Sequence, residues 1–151
     1  MRVAVLHNAV GPEAPPEERD VLAQAEAVLA ALDALGHSGV RLECTLDLER
    51  LRRELEALRP EAVFNLVESL GGSDGLQYLA PAVLEAGGWP YTGASGEAFL
   101  LTNHKVLAKE RLRAAGLPTP AWFGPHPGGG LTPAAPPPAP PPPPVRWIVK
   151  S

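Results

Sequence analysis

The sequence contains only one cysteine, Cys44, among its 151 residues. A single thiol cannot close a disulfide within the chain, and it cannot supply two thiolates to a metal site. The segment that leads into Cys44 is typical of a strand, so we interpret this side chain as a small buried filler and not as a reactive thiol. An internal disulfide and a site with two thiolate ligands are therefore excluded.

Long apolar runs are also lacking. No stretch approaches the roughly 20 apolar residues that a membrane-spanning helix needs, and the first apolar run breaks at His7 and Asn8, too early for a secretory signal. The 13 basic residues are outnumbered by 17 acidic ones, and the resulting net charge of −4 does not favour nucleic acid. We expect a cytoplasmic protein with neither a membrane nor a nucleic-acid partner.

Apolar runs and helical patterns alternate along the first part of the chain. Three runs, at Arg2 to Leu6, Val40 to Cys44 and Ala62 to Val67, indicate buried strands. Apolar side chains at steps of three and four residues predict helices from about Pro15 to Leu35 and from Leu48 to Leu58. This alternation predicts an α/β fold in which the three strands lie side by side in a Rossmann-like parallel sheet, covered by the helices.

Ligands of such sheets bind outside the carboxyl ends of the strands, where the loops His7 to Glu18 and Glu68 to Gly75 are expected. Familiar catalytic motifs, such as a Walker A loop or a serine nucleophile elbow, are missing. The glycines of the second loop permit a tight backbone path that exposes N–H groups to an anion or a carboxylate. An ordinary strand-to-helix turn explains the same spacing, so both interpretations stay open.

The later part of the chain has a weaker pattern. One helix is predicted from Leu76 to Ala86, with Pro81 in its first turn, and another is predicted to be capped by Thr102 or Asn103 and to end at Gly116. Glycine and proline dominate residues 124–144, which predicts an extended loop. A tolerated loop insertion and a ligand for polyproline-binding modules both fit this composition. Residues 146–150 indicate one more strand, and the stop after it is interpreted as a truncation.

Several short motifs follow one another in a fixed order. They are Glu18-Arg19-Asp20-Val21, Phe64-Asn65-Leu66-Val67-Glu68, Gly72-Ser73-Asp74-Gly75 with Gln77, Pro90-Tyr91-Thr92-Gly93, Lys105, Gly116-Leu117-Pro118-Thr119-Pro120 and Ile148-Val149-Lys150. In order and spacing they resemble the amino-terminal half of D-alanine-D-alanine ligases of the ATP-grasp class. The resemblance implies a pre-ATP-grasp α/β domain at residues 1–100 and the truncated start of an ATP-grasp domain at residues 101–151.

The resemblance also implies a reaction. In this family ATP phosphorylates a carboxylate, and an amine then attacks the acyl phosphate to give an amide. Lys105 and Lys150 would contact the ATP phosphates, Glu18 would have a catalytic and substrate-binding role beside the ammonium group of the first amino acid, and Glu68 would face the substrate. Lysine ammonium groups suit polyphosphate, and a carboxylate complements an ammonium group. The full-length parent would use ATP and Mg²⁺, neither of which is expected to bind this fragment tightly.

The chain departs from the family pattern at three places. Residues 8–13 replace a glycine-rich loop that contains serine, Glu68 and Ser69 replace a histidine-glycine pair, and His104 replaces an aspartate. The first two changes face the substrate in the family, so the resemblance does not imply D-alanine as the substrate. His104 has no second ligand at useful spacing, so we interpret it as a helix-surface histidine and predict no metal site.

Structural explanations also exist for the proposed site residues, and the enzyme assignment is left open. Lys105 could be a solvated helix residue, and Glu18 could be an acid that the helix dipole favours. The family's magnesium ligands and its intermediate-stabilising arginine would lie beyond Ser151, so this fragment by itself should not be a working ligase. The alternative is a non-catalytic α/β module that binds an amino acid or a peptide, and a homodimer is also left open.

Overall fold

The three predicted strands form one parallel sheet in the computed structural model, which describes residues 1–11, 14, 16–120 and 122. The elements in chain order are β1 (Arg2–Asn8), α1 (Pro16–Ala34), β2 (Ser38–Cys44), α2 (Leu48–Leu58), β3 (Ala62–Leu66), a 3₁₀ turn (Asp74–Leu76), α3 (Leu79–Gly87), α4 (Gly96–Asn103) and α5 (Lys105–Ala114). The strand order is β2-β1-β3. The predicted fold class, an α/β sheet with flanking helices, is confirmed.

Strand β1 lies in the centre of the sheet and is buried on both faces. It pairs with β2 over seven positions, from Arg2↔Ser38 to Asn8↔Cys44, and with β3 over five positions that end at His7↔Leu66. Its interior residues are apolar from Val3 to Leu6, as expected for a strand that helices cover on both sides. The pairing with β3 therefore ends one residue before β1 does.

Each face of the sheet packs against a different group of helices. Ala4 and Leu6 point into a core that also contains Leu51 and Leu55 of α2 and Leu84 of α3. Burial of each such leucine contributes about 1.5–3 kcal/mol to folding. The predicted leucine stripe of α2 thus forms the main apolar core.

The opposite face lies under α1, where Val21 and Ala25 are buried. Gly39 of β2 pairs with Val3 and faces α1, because a Cβ atom added to Gly39 would lie 2.6 Å from Leu29 Cδ2 of that helix. Val3 therefore lies on the face that α1 covers. Side chains alternate between faces along a strand, so His7 belongs to the same face as Val3. The helix therefore covers the side of the sheet on which His7 lies.

Helix boundaries differ from the prediction near residue 76. The segment predicted as one helix from Leu76 to Ala86 begins with the 3₁₀ turn Asp74–Leu76, and α3 starts only at Leu79. Pro81 is the third residue of α3 and so falls in the first turn, where its missing N–H costs no hydrogen bond. The shorter helix is consistent with the placement expected for this proline.

The prediction that Thr102 or Asn103 caps the following helix is wrong. Both residues end a separate helix, α4, in which the Thr102 hydroxyl donates to the Ala98 carbonyl at 2.7 Å. The N-cap of α5 is His104, whose Nδ1 accepts a hydrogen bond from the Leu107 amide at 3.3 Å. His104 is therefore exposed at the N-terminus of α5, which is consistent with the interpretation as a histidine on a helix surface.

The chain divides into two compact units, Met1–Asn103 and His104–Ser151. Helix α5 and the turn after it make up the described part of the second unit. Assignment of the two units to a pre-ATP-grasp and an ATP-grasp domain stays a prediction. The glycine- and proline-rich residues 124–144 and the strand predicted at residues 146–150 lie outside the described residues. Within residues 1–11, 14, 16–120 and 122, no helix is long and apolar enough to cross a membrane.

Candidate functional site

The carboxyl ends of β1 and β3 lie together and are joined by side chains. The Asn8 Oδ1 atom accepts a hydrogen bond from the Glu68 amide at 3.4 Å, although 60 positions separate the two residues in the chain. Asn8 is buried, with 7% of its surface exposed, whereas Glu68 is exposed. A polar group held inside the sheet edge thus fixes the backbone of a carboxylate residue that faces solvent.

His7 lies immediately behind this contact and is completely buried. Its Nδ1 atom lies 2.8 Å from the carbonyl oxygen of Asn8. A carbonyl can only accept, so Nδ1 carries the proton and Nε2 is left as an acceptor, for which the described residues provide no hydrogen-bond partner. The sequence analysis missed His7 as a site residue, although a histidine at the end of an apolar strand was a usable signal.

The loop after β3 begins with two hydrogen bonds that involve Asn65. The Asn65 amide donates to Thr92 Oγ1 at 3.0 Å, and the Asn65 side-chain oxygen accepts from the Val67 amide at 3.2 Å. Residues 90–92 run beside β3, with the Thr92 amide donating to the Val63 carbonyl at 3.0 Å. Two of the motifs that carry the family resemblance therefore meet at the carboxyl end of β3.

The next part of this loop is a tight turn at Leu70 to Ser73. The backbones of these two residues exchange hydrogen bonds of 2.9 and 3.1 Å across Gly71 and Gly72. Both glycines have positive φ angles, 59° and 76°, which residues with a side chain rarely adopt. The turn geometry accounts for these two glycines, as in the interpretation of the segment as an ordinary connection.

Glu85, a residue of α3, holds the Pro90-Tyr91-Thr92-Gly93 motif in place through its carboxylate. Glu85 Oε1 accepts from the Tyr91 hydroxyl at 2.5 Å and from the Gly96 amide at 3.0 Å. The hydrogen bond from Tyr91, followed by that from the Gly96 amide, lowers the pKa of Glu85. The same bond to Glu85 is the main reason that the pKa of Tyr91 is raised to about 12. These contacts hold the motif and the start of α4 against α3.

The predicted acid Glu18 lies in the first turn of α1, in the connection that follows the carboxyl end of β1. Its side chain lies outside the described part of the structure, as does the whole of Lys150. The structure therefore brings Glu68 to the sheet edge and places the backbone of Glu18 at the start of a helix. The substrate roles of both glutamates stay predictions.

Lys105 is the first residue of α5, in the second unit, and is exposed. No acidic residue stands in the first turn of this helix. A lysine at this position adds its positive charge to the positive end of the helix dipole, where both attract anions. The residue type and its place fit a phosphate group.

The Gly116-Leu117-Pro118-Thr119-Pro120 motif folds back on α5. The Lys109 ammonium donates to Thr119 Oγ1 at 3.2 Å and to the Pro120 carbonyl at 3.0 Å. It also lies 5.2 Å from the centre of the Trp122 ring, and the Arg113 guanidinium carbon lies 4.8 Å from the same centre. These are cation–π distances, so Lys109 and Arg113 have structural partners within the unit.

Two further predictions concern metals and the cysteine. Cys44 is free and buried, and its burial is the main cause that raises the pKa of the thiol to about 12. The interpretation as a filler is consistent with this. No group of three histidine, cysteine, aspartate or glutamate residues suited to a metal ion occurs in the part of the chain that the structure describes. The described residues therefore contain no cluster of side chains that fits Mg²⁺.

Comparison with known proteins gives several D-alanine–D-alanine ligases among the relatives of this chain. D-alanine–D-alanine ligase from Moorella thermoacetica is 37% identical over 129 residues, which cover 82% of this chain and 38% of the ligase. The D-alanine–D-alanine ligase from Oleidesulfovibrio alaskensis is 40% identical over 115 residues, which cover 74% of this chain and 36% of that protein. The chain thus spans less than two fifths of the length of these curated relatives. No protein-family model matches the chain.

A solved structure gives the same fold. The ligase from Bacillus anthracis complexed with ATP has a TM-score of 0.64 and 22% sequence identity, over 87% of this chain and 43% of that one. At this identity the similarity shows the fold alone. The parallel sheet and its flanking helices therefore define an α/β protein of the kind found in the amino-terminal region of such ligases. The chain is homologous to the amino-terminal part of D-alanine–D-alanine ligases.

Proposed function

We propose that the chain is the amino-terminal portion of an ATP-dependent carboxylate–amine ligase that acts through an acyl phosphate. The observation that carries the proposal is the contact between Asn8 and Glu68, which joins two strand ends into one polar edge. Ligands of parallel sheets bind at this edge. The homology to ligases supplies the reaction class, since both curated relatives are named for joining D-alanine to D-alanine.

The substrate assigned to this edge is a small amino acid or a peptide. Glu18, near the start of α1, would take the ammonium group in the catalytic and substrate-binding role, and Glu68 would face the same ligand. A carboxylate paired with an ammonium group forms a charge-assisted hydrogen bond, about twice as strong as a neutral one. The start of α1 can add backbone N–H groups for the carboxylate of an amino acid.

The nucleotide would be held by Lys105 and Lys150. The argument for Lys105 is its place at the positive end of α5, where a polyphosphate would neutralise both the ammonium group and the helix dipole. A relative of the same fold has been solved with ATP. When bound, ATP would supply the phosphoryl group that activates a carboxylate. The parent protein would work in the cytoplasm, and Mg²⁺ would be held by residues outside the described part of this chain.

A chimeric ligase tests this proposal. Residues 1–151 would replace the matched amino-terminal segment of the Moorella thermoacetica ligase, and phosphate release would be measured with a panel of amino acids and dipeptides. We expect amide formation with at least one member of the panel. We also expect that Glu18→Ala raises the KM for the amino acid and leaves the KM for ATP nearly unchanged.

Circular dichroism of each chimera provides the folding control. A folded chimera that uses ATP with no member of the panel would contradict the proposed function. A folded chimera that binds an amino acid without making an amide would favour the alternative, a non-catalytic amino-acid or peptide binding module.

A further inference from the structure

His7 is poorly explained as a packing residue. It is fully buried on the central strand, on the face that also presents Val3 and Val5 to the sheet interior. A leucine at this place would fill space without a polar atom, whereas the imidazole leaves Nε2 buried with no partner in the part of the chain that the structure describes. An unpaired buried acceptor destabilises a fold, so its retention calls for a specific reason.

The reason for keeping a histidine here is indicated by its other ring nitrogen, Nδ1. The ladder between β1 and β3 ends at His7↔Leu66, and the polar groups just beyond it have side-chain partners. The His7 Nδ1–H group donates to the Asn8 carbonyl at 2.8 Å, and the Asn8 side chain accepts from the Glu68 amide at 3.4 Å. A rigid ring inside the sheet is thus connected through two hydrogen bonds to the backbone of Glu68.

The order of burial along these contacts supports a positioning role. His7 is 0% exposed and Asn8 is 7% exposed, whereas Glu68 is exposed. A ring packed between strands and α1 cannot follow the motion of the loop, so it can fix the carbonyl to which it donates. The side chain of the same residue, Asn8, is held in turn, and the Glu68 backbone with it.

We propose that His7 is a positioning residue for the amino-acid site, acting through Asn8 on Glu68. The identity of the ligand rests on the proposed function, whereas the connection between the three residues does not. A neutral imidazole that donates through Nδ1 necessarily carries an acceptor at Nε2, which here lies unpaired inside an apolar sheet. His7 therefore orders the edge of the site without touching the ligand itself.

Amide hydrogen exchange of Glu68 in the ligand-free chain tests the connection. His7→Leu removes the donor and also the unpaired acceptor, and Asn8→Ala removes the acceptor for the Glu68 amide. We expect both variants to raise the exchange rate at Glu68 by about fivefold to tenfold, the effect of losing one hydrogen bond of average strength. His7→Asn, which keeps an N–H donor near the position of Nδ1, should restore most of the protection.

The matched control is Val5→Ala, on the same strand and face. It should lower the Tm through a cavity while leaving the exchange at Glu68 close to wild type. His7→Leu should change the Tm little, because the lost hydrogen bond to the Asn8 carbonyl and the removed unpaired acceptor act in opposite directions. Unchanged exchange at Glu68 in His7→Leu, or a lower Tm with faster exchange across the whole sheet, would overturn the proposal.

Titration with D-alanine and a panel of other amino acids, followed by the same amide signals, separates this inference from the proposed function. We expect His7→Leu and Asn8→Ala to weaken binding about fivefold or more, with Val5→Ala unchanged. If wild type binds no amino acid, the proposed function and the ligand named here both fail. If wild type binds and His7→Leu binds equally well, the positioning role is overturned while the proposed function stands.

Discussion

Among single residues, Glu85 and Tyr91 form a contact whose strength depends on pH. The pKa of Glu85 is lowered on folding, chiefly by the Tyr91 hydroxyl and then by the Gly96 amide. Its contribution to stability is therefore present above the unfolded glutamate pKa and is lost as the pH falls through the lower folded value. For Tyr91 the pKa is raised to about 12, so its contribution persists in neutral solution and is lost as the pH rises through 12.

The variant Glu85→Gln should consequently have a lower Tm than wild type at pH 7, and the difference should shrink in acid once the wild-type carboxylate is protonated. Thermal unfolding at pH 7 and pH 3 measures this difference. Tyr91→Phe serves as the control, since it removes the main cause of the shift and keeps the ring. A Glu85→Gln variant that matches wild type at both pH values would show that the contact is not stabilising.

Two lysines of α5 allow a matched comparison in the chimeric ligase. Lys105→Ala should weaken ATP use by about tenfold or more, since charge-assisted bonds to phosphate are worth about 1.5–3 kcal/mol. Lys109 has partners in Thr119 and Pro120, so Lys109→Ala should lower the Tm and leave the KM for ATP unchanged. Steady-state kinetics and thermal unfolding of both variants test this. Equal ATP kinetics in Lys105→Ala and the unmodified chimera would contradict the nucleotide role.

Residues of the site could be predicted from the sequence only where a motif or a charge marked them. Glu68 was found through the family resemblance, and the burial of Cys44, outside the site, was predicted from the strand pattern that leads into it. His7 was missed because a donor to the Asn8 carbonyl and an unpaired Nε2 become visible only when the neighbouring strands are in place. The roles of Glu18 and Lys150 stay predictions, since their side chains lie outside the described residues.

At the scale of helices and strands, the end of α3 gives a sharp packing test. A Cβ atom added at Gly87 would lie 1.9 Å from the Trp89 ring, so the indole would have to move. Overpacking of this kind costs typically about 1–3 kcal/mol, and Gly87→Ala should lower the free energy of unfolding by that amount.

Urea unfolding of Gly87→Ala measures this free energy. The control is Gly75→Ala, because a Cβ atom there would meet only the Ser73 hydroxyl, at 3.4 Å. If both variants were equally stable, the contact between Gly87 and the indole would not be part of the folded structure.

Elements with a strong apolar period were predicted well, and those decided by hydrogen bonding were not. The leucines of α2 define its face, and the three strands were predicted to within two residues at each end. The break between α4 and α5 was missed, because Thr102 and His104 can both cap a helix and only the folded chain shows which one does. The spacing of apolar residues indicates which side chains are buried, whereas the choice between two capping residues depends on the residues around them in the folded chain.

For the whole molecule, the alternation of strands and helices predicts the parallel sheet, and the homology to ligases supports the proposed reaction class. Neither defines the substrate, since residues 8–13 and the Glu68-Ser69 pair depart from the family pattern that the sequence analysis described. The chain matches less than two fifths of its curated relatives, so the activity of a complete ligase is proposed and not transferred. The central claim is the amino-acid site at the carboxyl ends of β1 and β3.

The most direct test of this claim is a titration of the ¹⁵N-labelled chain with D-alanine, other amino acids and dipeptides, followed by amide chemical shifts. The account predicts saturable shifts that cluster at Asn8, Glu68 and Ser69 for at least one of these ligands. Glu68→Gln should weaken that binding, because it removes the charge that faces the ammonium group. The absence of saturable shifts with every ligand, or shifts confined to the groove between α2 and α3 around Trp89, would contradict it.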